Sequence, residues 1–225
     1  MNSARFHLRG WKSWAPSQNA EKAEGIPALL RRRVTPLGQQ ALSAAWNLPE
    51  TADARLILTS RHGEFSRTLS LLESVANKDD LSPADFTLSV HHALVGVLSI
   101  VQGNRKGHTA VASGEESFCF GLLEAVACLK ENPNEPVVLI HFDDLLPGPF
   151  ATFNQPDEQP VALALALSAA GEGEAFQVES TPHPLNDNPT ASHAQHFLDF
   201  LTSGSTEGLS IGEYRQWRWA RHAVP

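Results

Sequence analysis

Residues 89–121 read SVHHALVGVLSIVQGNRKGHTAVASGEESFCFG. The run from Ser89 to Val101 is apolar, with small residues at Ala93, Gly96 and Ser99, as expected of a tightly packed central helix. Gly103 to Gly107 interrupts it. Thr109 to Ala112 is then a short strand, Ser113-Gly114-Glu115-Glu116 a turn, and Ser117 to Lys130 a second amphipathic helix. A strand fed between two helices in this order is the repeating unit of an α/β sheet.

The alternation continues outward on both sides. Phe6 to Trp14 alternates loosely and reads as an opening strand, and Ser17 to Gly25 as a loop. Ile26 to Leu30 is a short apolar segment closed by Arg31, Arg32 and Arg33. Thr35 as N-cap and Pro36 at the first helical position predict a helix through Leu37, Ala41, Leu42 and Ala45, ending before Pro49. Arg55 to Ser60 (RLILTS) has the signature of a buried parallel strand. Arg61-His62-Gly63-Glu64 is a strand-to-helix turn, after which Phe65, Leu69, Leu72 and Val75 share one helical face. Leu81 to Phe86 is a loop with a short helical turn.

Further on, Val137 to Phe142 (VVLIHF) and Val161 to Ser168 are strands separated by a Pro/Gly loop. Gly171 to Asn188 holds most of the remaining turn formers. His193 to Leu201 is a helix, and Tyr214 to Arg221 a Trp-rich tail. The alternation predicts an α/β fold, a mainly parallel sheet flanked by helices, in a single domain over residues 1–225 with a short C-terminal extension.

With 225 residues and 42% hydrophobic content the chain can bury a sizeable core. A net charge of −8 argues against nucleic acid and anionic membranes as partners, because both require a basic surface. Val161 to Ala170, the longest stretch of low polarity, is about half the roughly 20 residues of a membrane helix. Residues 1–16 show no continuous apolar run of the kind found in a secretory signal, so a soluble, cytoplasmic protein is expected. Cys119 and Cys128 stand about 13 Å apart if they share one helix, too far for a disulfide.

Residues 89–121 resemble the segment of β-ketoacyl synthases in which an Asn/His-Ala-rich helix, a GxxGP-type turn and a short strand lead into the nucleophile elbow. His91-His92-Ala93 through Ile100 match the helix and Gly103 to Gly107 the turn. Thr109 to Ser113 match the strand that, in this family, pairs with its counterpart across the dimer axis. Counting without gaps from Gly107, the family's cysteine position falls on Glu116; a one-residue slip places Glu115 there. Ser60-Arg61-His62-Gly63, Leu81-Ser82-Pro83, Arg31 to Arg33, Val137 to Asp144 with Leu146-Pro147, and Trp217-Arg218-Trp219 resemble N-terminal-half β-ketoacyl-synthase-like proteins of aryl polyene and related gene clusters.

The resemblance implies half of a thiolase-like fold and a non-catalytic subunit similar to a chain length factor. It implies a heterodimer with a complete β-ketoacyl-ACP synthase, with acyl carrier protein engaged through that synthase. It also implies no cofactor, no metal, and an interface built from Thr109, Ala110, Val111, Ala112, Ser113 and Glu116. A complete synthase is much longer, and its C-terminal half supplies the catalytic histidines.

The residue chemistry agrees in part. Condensation needs a thiolate to carry the acyl chain, and a carboxylate is a poor substitute because its anhydride hydrolyses. Glu115 and Glu116 could instead cap the following helix, contact a partner or plug its acyl tunnel. A rival reading is a self-sufficient acyltransferase or decarboxylase using Cys119 with His183, although Cys119 has the spacing of a core position. Ser180 to Asp187 faintly resembles the HGTxTPxxD loop of synthases, but its histidine follows Thr-Pro where the family's precedes it. A purely scaffolding subunit is a third reading. His91 and His92, adjacent on a helix, do not face one metal. Arg31 to Arg33 is a solvated or ion-paired run or a docking point for an acidic carrier protein. Trp217 and Trp219 share one side if their segment is extended.

Overall fold

The computed structural model describes residues 3–16, 26–171, 173–184 and 190–222; the loop expected at 17–25 lies outside them. Strands β1 (Ser3–Trp14), β2 (Arg55–Thr59), β3 (His108–Val111), β4 (Val137–Asp143), β5 (Val161–Ser168), β6 (Glu174–Pro182), β7 (Glu207–Ile211) and β8 (Arg215–His222) form one sheet. Their order is β3-β2-β4-β5-β1-β6-β8-β7. The helices are α1 (Ala28–Arg31), α2 (Pro36–Trp46), α3 (Phe65–Asn77), α4 (Pro83–Ser89), α5 (Ala93–Gln102), α6 (Ser117–Glu131) and α7 (His193–Ser203).

The sheet sits between two apolar layers, and β5 shows how one strand serves both. Its sequence VALALALS alternates small and large residues. Leu163, Leu165 and Leu167 point into the core beneath α6 and α7, while Ala162, Ala164 and Ala166 face α2 and α5. The small face matches the alanines Ala41, Ala44 and Ala45 of α2 and lets that helix lie close to the sheet. The expected N-cap of α2 forms: Thr35 Oγ1 accepts from Gly38 N at 3.2 Å and donates to the buried Glu64 at 2.8 Å.

The α/β architecture and most elements agree with the sequence; strand direction does not. Only β2/β3 and β2/β4 are parallel, and the other five neighbouring pairs are antiparallel. The expected mainly parallel sheet is therefore a mixed one. A strand covered on both faces is apolar whichever way it runs, so VVLIHF and VALALALS carry no signal of direction.

Two further corrections concern the C-terminal third. The turn-rich segment from Gly171 contains β6, in which Phe176, Val178 and Ser180 are buried in strict alternation. The Trp-rich tail is β8, an internal strand between β6 and β7, with Trp217 and Trp219 both buried on one side. The helix expected from Ser89 begins only at Ala93. Val90 is extended (φ −75°, ψ 146°), and α4 and α5 meet at 98°. Among the described residues no single helix is long and apolar enough to cross a membrane.

Candidate functional site

The parallel strands β2 and β4 end side by side, and their last residues assemble a polar network. Thr59 Oγ1 lies 2.9 Å from His141 Nδ1, and His141 Nε2 lies 3.3 Å from Asp143 Oδ2. A neutral imidazole protonated at Nε2 satisfies both contacts, donating to the carboxylate and accepting from the threonine. Burial pushes the His141 pKa down, opposed by Asp143, which fits that neutral form. The other oxygen of Asp143 accepts from Ser60 Oγ at 2.9 Å and from the Arg61 backbone N–H at 2.7 Å. The β2-to-α3 turn is thereby tied to the end of β4.

The elbow between β3 and α6 closes over this network. Gly114 adopts φ +57°, a left-handed conformation that favours glycine. Ser117 fastens the turn, its hydroxyl donating to Gly114 O at 2.7 Å and accepting from Ser113 N at 2.9 Å. Glu115 then points inward and pairs with Arg61 at 2.6 Å, while Arg61 also reaches Glu158 at 3.5 Å. Burial raises the Glu115 pKa, with Arg61 pulling it down and Glu158 and Asp143 adding to the rise. Phe118 and His193 complete the walls of this narrow pocket.

Glu116 turns elsewhere. It occupies the N-cap position of α6, but its side chain makes no cap hydrogen bond, so the capping alternative fails for it. Its carboxylate packs against Gly212 beyond β7, near Trp217 and Arg215. Burial raises its pKa, and the Trp217 indole N–H and Arg215 oppose the rise. The indole favours the ionised form by proximity, yet neither Glu116 Oε1 nor Trp217 Nε1 has a partner of closed hydrogen-bond geometry.

The remaining candidates separate clearly. Cys119 is fully buried in the core under α6, and burial holds its thiol well above the ordinary range, which is unsuited to a nucleophile. His183 lies just past β6 and donates from Nδ1 to Pro184 O at 2.8 Å. His193 and Ser210 are 2.5 Å apart, a nucleophile–base spacing. Both are buried, and the pair joins α7 to β7; burial, with His196 and His141 acting in the same direction, lowers the His193 pKa to about 4. Among the described residues no group of three or more His, Cys, Asp and Glu side chains is placed to hold a metal. Sequence reasoning assigned no role to Arg61, His141, Asp143 or Glu158. The signal was a histidine inside the otherwise apolar VVLIHF, since a polar residue there must find partners at the strand end.

Thr109 to Val111 lie in β3, an edge of the sheet that pairs only with β2 among the described residues, and Ala112 and Ser113 continue into the elbow. The site is thus one short walk along the chain: open edge, left-handed turn, inward carboxylate, helix.

A structure of the ketosynthase ApeO in complex with its chain length factor ApeC from Xenorhabdus doucetiae contains a chain of the same fold. It matches with a TM-score of 0.82 and 24% identity, covering 96% of this chain and 99% of that one. The ishigamide ketosynthase/chain length factor aligns with a TM-score of 0.59 at 12% identity, over 80% of this chain and 67% of that chain. A β-ketoacyl synthase from Burkholderia phymatum STM815 gives 0.55 at 13% identity, over 75% and 53%. A search among curated proteins found no match. The family model for the β-ketoacyl synthase N-terminal domain matches residues 9–220. With that match spanning nearly the whole chain, and with the strand, elbow and helix in the family's order, the protein belongs to the β-ketoacyl synthase N-terminal domain family.

Proposed function

We propose that this chain is a non-catalytic subunit, similar to a chain length factor, that pairs with a complete β-ketoacyl-ACP synthase in the cytoplasm. It would act as a single domain in a fatty-acid-like or polyketide pathway of the aryl polyene type. The observation that carries the reading is the elbow. It retains a tight glycine turn into a helix N-terminus but presents a carboxylate, Glu115, neutralised by Arg61 at 2.6 Å. A carboxylate held in an ion pair neither attacks a thioester nor holds an acyl chain stably. The nearly full-length likeness to a chain of the ApeO–ApeC complex supports the same reading.

The open edge of β3 supplies the backbone groups for strand pairing with the synthase, with Thr109 to Ser113 and the elbow at the contact. Acyl carrier protein is then engaged through the synthase, and this subunit shapes or stabilises the acyl tunnel. Co-expression with a complete synthase from the same organism is expected to yield one co-purifying complex. Separate elution at micromolar concentration would refute the pairing. In the reconstituted complex, Glu115→Ala and Glu116→Ala are each expected to leave condensation within about threefold of wild type, because neither carboxylate takes part in the chemistry. Loss of turnover with the complex intact would restore a chemical role.

A further inference from the structure

Residues 190–222 hold the elbow from two sides. On the inner side, the first turn of α7 brings Ser192, His193 and Ala194 into the wall of the pocket shared with Arg61, Glu115 and Glu158. That turn is fixed at its start and at its back. Ser192 Oγ accepts from Gln195 N at 3.2 Å, and His193 lies 2.5 Å from Ser210 of β7. His193 and Ser210 are both buried, so the pair works as a fastening between two elements. On the outer side, the turn between β7 and β8 receives Glu116. Gly212 N donates to Arg215 O at 2.7 Å, and a Cβ built on Gly212 would overlap the Glu116 carboxylate. Glu115 and Glu116 therefore meet two different parts of the same C-terminal unit.

These contacts set the width of the pocket. It has room for about one water molecule, so no acyl chain fits in it. The aromatic grip of α7 lies one turn further on, at Phe197, which meets Phe118 at 5.3 Å and Trp219 at 5.5 Å. That grip keeps the helix seated when its first turn is loosened. The polar fastenings then decide only how far the turn closes on the elbow.

We infer that residues 190–222 act as an intramolecular clamp that bars acyl chains from the elbow pocket, with His193–Ser210 and Glu116–Gly212 as its two fastenings. The inference rests on the non-catalytic reading of the elbow and deepens it with a second, separate bar. The carboxylate removes the nucleophile, and the clamp removes the space. A thiol installed at the inward position is therefore not enough to let this chain accept an acyl group.

The test installs that thiol. The full-length Glu115→Cys chain is incubated with hexanoyl-N-acetylcysteamine, and modified residues are located by peptide mass. In the step that is read, the cysteine sulfur attacks the thioester carbonyl, the acyl–sulfur bond forms, and N-acetylcysteamine leaves as the thiol, taking the proton. Acylation at position 115 is expected to be at least tenfold faster when His193→Ala or Ser210→Ala is added to Glu115→Cys. Ser210→Ala cuts the same tie while keeping the imidazole. Gly212→Ala, which displaces the far end of a flexible side chain, is expected to speed acylation at least threefold. Cys119, fully buried, reports on the core and is expected to stay unmodified throughout. Acylation of position 115 at rates within twofold with and without the fastenings would overturn the clamp and leave the non-catalytic reading standing. Equal modification of Cys119 in the loosened variants would also overturn it, because the whole core would then be opening. Acylation of the wild-type chain would overturn the non-catalytic reading itself.

Discussion

Glu115 and Glu116 are neighbours on the chain, yet one meets Arg61 inside the pocket and the other lies against Gly212 and Trp217. The ungapped count along the sequence put the lost cysteine position on Glu116, with Glu115 one slip away, and no count along a chain resolves such a slip at a turn. Direction is set by the left-handed Gly114 and the Ser117 hydroxyl, whose effects emerge only in three dimensions. Burial raises the pKa of both carboxyls. A folded-state acid with a raised pKa contributes most to stability below the ordinary carboxyl range, and loses that contribution as pH climbs through the folded value. Glu116 lacks a salt bridge, so Glu116→Gln is expected to raise the thermal midpoint at pH 7, with the gain closing below about pH 4. A midpoint below wild type at pH 7 would contradict this.

Among the elements, α6 and β8 carry packing that composition alone does not disclose. A Cβ added at Gly121 would overlap the Thr59 methyl group and press on Leu139, so the glycine sets how closely α6 approaches β2 and β4. Gly121→Ala is expected to destabilise by about 1–3 kcal/mol in denaturant unfolding, through overpacking. Strand β8 was legible as an extended Trp pair but not as a sheet member, because its partners β6 and β7 lie among turn formers that mask their alternation. Trp219 meets Phe197 edge to face and stacks with Phe200, at centroid distances of 5.5 and 6.3 Å. Trp219→Ala is expected to cost about 3–5 kcal/mol, measured the same way. A loss of under 1 kcal/mol would mean that β8 is peripheral. The N-cap at Thr35 and the strands β2, β4 and β5 were legible because each is encoded locally, by a cap or by an unbroken apolar run.

For the molecule as a whole, among the described residues, the core is covered on the β5 side of the sheet, while α3, α4 and part of α5 near the β3 side leave apolar side chains exposed. Amides of α3 and α4 should therefore exchange with solvent deuterium quickly in the isolated chain and become protected by tenfold or more when the synthase is bound, while those of β4 and β5 change little. Unchanged exchange in α3 and α4 within a demonstrated complex would place the contact elsewhere. What lay beyond the reach of sequence at this scale was the uncovered face itself. An apolar helical stripe reads the same whether its cover comes from the same chain or from another. The free margin of β3 also has a cost for the cell: unpaired strand edges template stacking between like molecules. Under the proposed pairing, copies made in excess of the synthase would therefore be the first to coalesce, so matched output of the two proteins would be a demand written into the geometry of a single short strand.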